Sequence, residues 1–109
     1  MRRNLHRLLD ALKSAKGTKA KALAHYQLAL FHDNNSREPE AIPHYRKAIR
    51  CGLSGRLEAM ARAWLASSLC KTGDHRGAAK ECGRALKMAC DPKLLKFLRG
   101  LQGRIDAHD

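Results

Sequence analysis

Two stretches of this chain, Leu28 to Leu53 and Leu65 to Cys90, are written to one pattern, and that repetition limits its possible folds more than any other feature. The first reads LALFHDNNSREPEAIPHYRKAIRCGL and the second LASSLCKTGDHRGAAKECGRALKMAC. Leu28, Ala29, Ala41 and Ala48 return as Leu65, Ala66, Ala78 and Ala85, so position 41 maps to position 78, a shift of 37 residues. A period of this size marks one supersecondary unit used more than once, each copy burying its apolar face on its neighbours.

The unit is helical by preference. Alanine and leucine are abundant, valine is absent and aromatics make up 5% of the residues, which favours helix over strand. Helix one carries Leu5, Leu8, Leu9, Leu12 and Ala15 on one face and stops at Gly17. Thr18 is expected to cap helix two, whose stripe of Ala22, Leu28 and Ala29 ends at Asp33-Asn34-Asn35-Ser36. Helix three, from about Pro39 to Cys51, buries Ala41, Ile42, Tyr45, Ala48 and Ile49 and is closed by Gly52. A start at Arg37 would leave Pro43 beyond the first turn at a cost of up to about 3 kcal/mol for the missing donor, and a start near Pro39 or Glu40, or a tightened first turn, removes most of it.

Ser54 is the expected cap of helix four, which buries Leu57, Ala61, Leu65, Ala66 and Leu69 and stops at Gly73. Asp74 caps helix five, with Ala78, Ala79, Cys82, Ala85 and Leu86 inward. Asp91-Pro92 opens helix six, which carries Leu94, Leu95, Phe97, Leu98, Leu101 and Ile105, and Gly100 and Gly103 weaken its end. The expectation is one domain over residues 1–109: repeat one at about 20–53, repeat two at about 57–90, and a capping helix at about 92–107.

HDNNSREPEAIPHYRKAI followed by GLSG and then LASSL resembles the group-five tetratricopeptide family of small bacterial proteins. The residues that carry the resemblance are His32-Asp33, Arg37-Glu38, Glu40-Ala41, Pro43, Tyr45, Gly52-Leu53, Gly55 and Ser67-Ser68-Leu69. It covers the chain from Ala22 to about Arg104, and Pro43 belongs to its pattern. His25 and Arg62 stand where a general tetratricopeptide repeat has a bulky aromatic, and Ser36 replaces the usual turn glycine. The fold implied is an all-α, right-handed α-α superhelix of two tetratricopeptide-like helix pairs, flanked by an N-terminal helix and a C-terminal capping helix.

The function implied is a non-catalytic protein-protein interaction scaffold in the bacterial cytoplasm, with no cofactor. Its partner is a protein or peptide, bound in a concave groove, on a basic outer face, or both. The groove would be lined by Leu23, Tyr26, Leu30, Asp33 and Asn34 from helix two and by Met60, Ala63, Ser67, Cys70 and Lys71 from helix four. The lysine and asparagine clamp of chaperone-binding relatives is not expected, because Tyr26 and Leu30 occupy two of its positions.

Charge supplies the basic face. The formal net charge is +12, from 22 Lys and Arg against 10 Asp and Glu. Lys47 and Arg50 on helix three match Arg84 and Lys87 on helix five, with Lys80 one turn away, and Arg2, Arg3, Arg7, Lys13, Lys16, Lys19 and Lys21 add to the balance. An acidic protein suits such a patch, and nucleic acid bound through its phosphates is the alternative. No aromatics interleave the cations for base stacking. A basic, leucine-bearing first helix also admits an anionic membrane surface, although core packing accounts for its leucines. No apolar run reaches the ~20 residues that cross a bilayer, so no membrane insertion is expected. Helix six, in place of a missing half-repeat, offers a second copy somewhere to pair.

An enzyme is not expected. His32-Asp33 and Ser67-Ser68 lack a nucleophile elbow and an oriented base, and His32 should pack inside with its nitrogens satisfied. Cys51, Cys70, Cys82 and Cys90 and the six histidines show no paired ligand spacing, which points to free thiols and no metal.

Overall fold

The computed structural model describes residues 2–89 and 91–108, without the side chain of Arg2. Cys90, expected as a free thiol at the end of repeat two, and the Arg2 side chain, expected in the N-terminal basic group, lie outside the described residues. Among the described residues there are six helices and no strand. They are α1 (Arg2–Ser14), α2 (Thr18–Asn34), α3 (Glu38–Cys51), α4 (Gly55–Lys71), α5 (His75–Met88) and α6 (Pro92–Asp106). They divide into two compact units, Met1–Leu53 and Ser54–Asp109, and the boundary falls between the two sequence repeats.

In the first unit α2 packs chiefly against α3, and α1 packs on α2. Ala22 and Ala29 on α2 and Ala41 and Ala48 on α3 are buried, and side chains this small let the two backbones approach closely. Tyr45 fills the larger space and is fully buried. Ile42 and Ile49 are only half-buried, so the apolar stripe of α3 is narrower than its sequence suggests. On α1 the leucines at 5, 8 and 12 are half-buried and Leu9 is 42% exposed.

The turn between α2 and α3 shows why the repeat holds its register. Ser36 N–H donates to the Asp33 carbonyl at 3.1 Å and Arg37 N–H to the His32 carbonyl at 2.8 Å. At the matching place in the second unit, Gly73 N–H donates to the Cys70 carbonyl at 3.2 Å and Asp74 N–H to the Leu69 carbonyl at 2.8 Å. This closure needs a positive φ. Ser36 takes 59° and Gly73 takes 96°. The first turn therefore holds a serine in a region that favours glycine.

Two boundaries differ from expectation in the first unit. Thr18 is the first helical residue of α2 and Gly17, at φ 85°, is the N-cap, without any side-chain cap bond. Helix α3 starts at Glu38, which leaves Pro43 beyond the first turn. Both Pro39 and Pro43 are exposed, so water can reach the Pro39 carbonyl that Pro43 cannot serve, and the helix continues unbroken. Gly52, at φ 112°, closes α3 by donating to Ala48, and Leu53 folds back to the same carbonyl with its side chain buried.

In the second unit α4 packs against α5, and α6 packs on both. Ser54 stands at the N-cap of α4 but makes no side-chain cap bond. Asp74 and Asp91 do cap, accepting from Gly77 N–H at 2.8 Å and Lys93 N–H at 3.0 Å. Ala78, Cys82 and Ala85 on α5 are buried, as are Ala61, Leu65, Ala66 and Leu69 on α4. Leu94, Leu98, Leu101 and Ile105 of α6 are buried too, and the Cys82 thiol donates to the Leu98 carbonyl at 3.5 Å. Burial, then the nearby Asp106 carboxylate, pushes that thiol above its ordinary range. Leu57 is 40% exposed and Ala79 is exposed, against expectation, while Leu86 is half-buried.

Candidate functional site

Each hairpin carries a polar bridge between its two helices. In the second unit Arg62 of α4 donates from Nε to Glu58 Oε2 at 2.9 Å and from Nη1 to Glu81 Oε1 of α5 at 2.8 Å. The Arg62 and Glu81 side chains are 14% and 12% exposed. Burial opposes the Arg62 charge, but the bonds to Glu58 and Glu81 outweigh it, and its affinity for the proton rises. In the first unit His25 Nδ1 of α2 meets His44 Nδ1 of α3 at 3.0 Å. The ring of His32 lies nearly parallel to that of His44, 5.8 Å between centres and 12° between planes. One member of each pair, His25 and Arg62, stands where the sequence departs from an aromatic, and their partners His44 and Glu81 carried no expectation. The equal separation of 19 residues within the two pairs was the signal that could have revealed them.

His32 is buried, as expected, but its Nδ1 has no hydrogen-bond partner, so it is not the satisfied histidine anticipated. Asp33 accepts from the Tyr45 hydroxyl at 2.8 Å. Burial first, and then the Asp33 carboxylate, drives the Tyr45 hydroxyl far above its ordinary range, so it remains a donor. Ser68 is buried and Ser67 half-buried. These residues are held in the packing.

The residues expected to line a groove are unevenly available. Tyr26 is 5% exposed and Ala63 is fully buried, so these two side chains belong to the interior. Leu30, Asp33, Met60, Ser67 and Cys70 are half-buried, and Leu23, Asn34 and Lys71 are exposed. Lys47 and Arg50 are exposed on α3, and Lys80, Arg84 and Lys87 on α5, with Arg84 Nη1 at 3.8 Å from Glu81. Further exposed cations on α6, Lys93, Lys96, Arg99 and Arg104, have no counterpart in the sequence expectation, which drew its basic face from helices three and five and the N-terminal stretch.

The open apolar surface of the second unit lies beside α6. A cleft of about 500 Å³ is bounded by Gly55, Arg56, Ala59, Met88, Ala89, Asp91 and Leu94. A second, of about 200 Å³, shares Arg56, Asp91 and Leu94 and continues past Met60, Trp64, Lys93 and Phe97. Trp64 and Phe97 meet edge to face, 4.9 Å between centres, and Met88 is 37% exposed. Arg56 donates to Asp91 at 2.9 Å across the rim. The signal for this surface was the single tryptophan of the chain, which the repeat pattern does not use.

Among the described residues no group of three or more His, Cys, Asp or Glu could hold a metal ion. Cys51, Cys70 and Cys82 are free thiols. Among the same residues, no helix is long and apolar enough to cross a membrane. No protein-family model matches this chain, and no curated protein or solved structure is significantly similar to it.

Proposed function

We propose that this chain is a non-catalytic interaction module that binds an acidic protein segment, its hairpins stacked as a right-handed tetratricopeptide-like superhelix. The observation that carries the reading is the pair of adjoining apolar clefts of the second unit, walled by Met60, Trp64, Met88, Leu94 and Phe97 and rimmed by Lys93 and by Arg56, which is paired with Asp91. Apolar, aromatic-containing clefts with a charged rim suit a segment that inserts one or two large side chains between acidic neighbours. Supporting it, polar side chains that look chemical in the sequence are engaged in the packing: Asp33 accepts from Tyr45, and His32 and Ser68 are buried. The net charge of +12 favours encounter with an acidic partner.

The test is selection from a display library of random peptides. Enriched peptides are expected to combine leucine or phenylalanine with aspartate or glutamate, and to bind at least about tenfold more weakly to Met88→Asp and Lys93→Glu, about 1.4 kcal/mol. Peptides without acidic residues, or equal binding to both variants, would overturn it. Labelled RNA and DNA form a control arm. Binding to them that fades with salt and survives Met88→Asp would move the function to the basic rows.

A further inference from the structure

The two hairpins use the same pair of positions to tie their helices together, with different chemistry. Arg62 stands 37 residues after His25, and Glu81 stands 37 after His44. The second hairpin is closed at 2.8 Å by groups that carry opposite charges, the first at 3.0 Å by two imidazoles.

The ring geometry fixes what the imidazole pair can do. Its centres are 5.2 Å apart, almost the greatest separation that rings with nitrogens 3.0 Å apart can have. The two Nδ1 atoms therefore point at one another along the line of centres. A metal on that line would need its two nitrogens roughly 4 Å apart, given bonds of about 2.0 Å each, so the pair as arranged has no room for one. A hydrogen bond fits. One ring donates Nδ1–H and the other accepts at a bare Nδ1. A first added proton goes to the outer nitrogen of the donor ring, where it strengthens the bond but leaves a charge in a half-buried pair. A second can go only to the accepting Nδ1, and it would set two N–H groups against each other at 3.0 Å.

The surroundings also resist charge. Burial comes first in lowering all three rings, and with its charged neighbours it brings His44 to about 4. Lys47 of α3 acts in the same direction on His25 and His44, as do His25 and His32 on His44. Arg37 lowers His32 while Glu40 opposes it. Among the described residues, none of the charged groups that act on the three rings comes from α1, the other helix packed on α2 within this unit.

We propose that the His25–His44 bridge makes the first hairpin an acid-sensitive element, while the Arg62–Glu81 bridge keeps the second closed. When α2 and α3 separate, the histidines take protons at their ordinary value of about 6.5. The open hairpin then binds more protons than the packed one. The bridge's contribution to closure is full above about pH 6.5 and is lost progressively toward about pH 4.

The test is amide hydrogen exchange of the full chain, corrected for the intrinsic effect of pH, between about pH 7 and about pH 5, above the range where carboxylates ordinarily titrate. Opening of α2 and α3 is expected to rise by up to about tenfold per pH unit for each histidine involved, with α4 and α5 nearly unchanged. Grafting the second bridge into the first, His25→Arg with His44→Glu, should remove the difference, and His44→Gln should reduce it. Equal responses of the two hairpins in the wild-type chain would overturn the proposal whether or not either variant folds. So would histidine nitrogen resonances titrating independently near 6.5, or an unchanged response in a folded graft.

Discussion

Replacing Arg62 with methionine keeps a long flexible stem and removes the guanidinium that joins Glu58 to Glu81. The bonds lost are 2.9 and 2.8 Å long. Charge-assisted hydrogen bonds contribute about 1.5–3 kcal/mol each, whereas exposed ion pairs contribute about 0–1 kcal/mol. With Arg62 14% and Glu81 12% exposed, this bridge lies nearer the buried limit, where removing one partner costs about 3–5 kcal/mol. Arg84 stands 3.8 Å from Glu81 and is 50% exposed, so it can turn inward and recover part of the loss. A destabilisation of about 2–3 kcal/mol follows. Glu81→Gln should cost less, about 1–2 kcal/mol, because the amide oxygen still accepts from Arg62. Urea unfolding of both single variants and the double variant gives the coupling, expected at about 1–2 kcal/mol. A loss below about 0.5 kcal/mol for Arg62→Met, or zero coupling, would refute the reasoning.

Ser36→Gly should stabilise the chain by about 0.5–1 kcal/mol, because Ser36 holds φ 59° where its counterpart is a glycine, and thermal unfolding would show the gain. A loss would mean that the serine side chain supports the turn. Gly77→Ala, which helix preference alone would favour by about 1 kcal/mol, should instead destabilise by about 1 kcal/mol. The added Cβ would stand 2.5 Å from Asp74 Oδ2 and displace the carboxylate that caps α5. A stabilised Gly77→Ala variant would show that this cap contributes little.

The repeat made the helices legible because their ends are marked by local chemistry. Gly52, Asp74, Asp91 and Pro92 act as their types predict, since caps depend on a few adjacent residues. Burial was legible where small residues recur, at Ala41, Ala48, Ala78 and Ala85. It failed at Leu57 and Ala79, because periodicity gives a face but not how far the neighbouring helix covers it. The bridges escaped notice for a different reason. Repeat matching rewards identity, and His25 with His44 shares no residue type with Arg62 and Glu81, although both pairs perform one task at one place. The cleft depends on Trp64, Met88 and Phe97 converging from three helices, which no local pattern encodes.

The central claim, that the second unit presents the binding surface, is tested most directly by nuclear magnetic resonance. Amide and Trp64 indole signals would be followed while a peptide carrying phenylalanine between glutamates is added. Shifts are expected to concentrate at Ala59, Met60, Trp64, Met88, Leu94 and Phe97. Shifts centred instead on Leu23 and Leu30, or on Lys47 and Arg50, with the cleft signals unmoved, would contradict it.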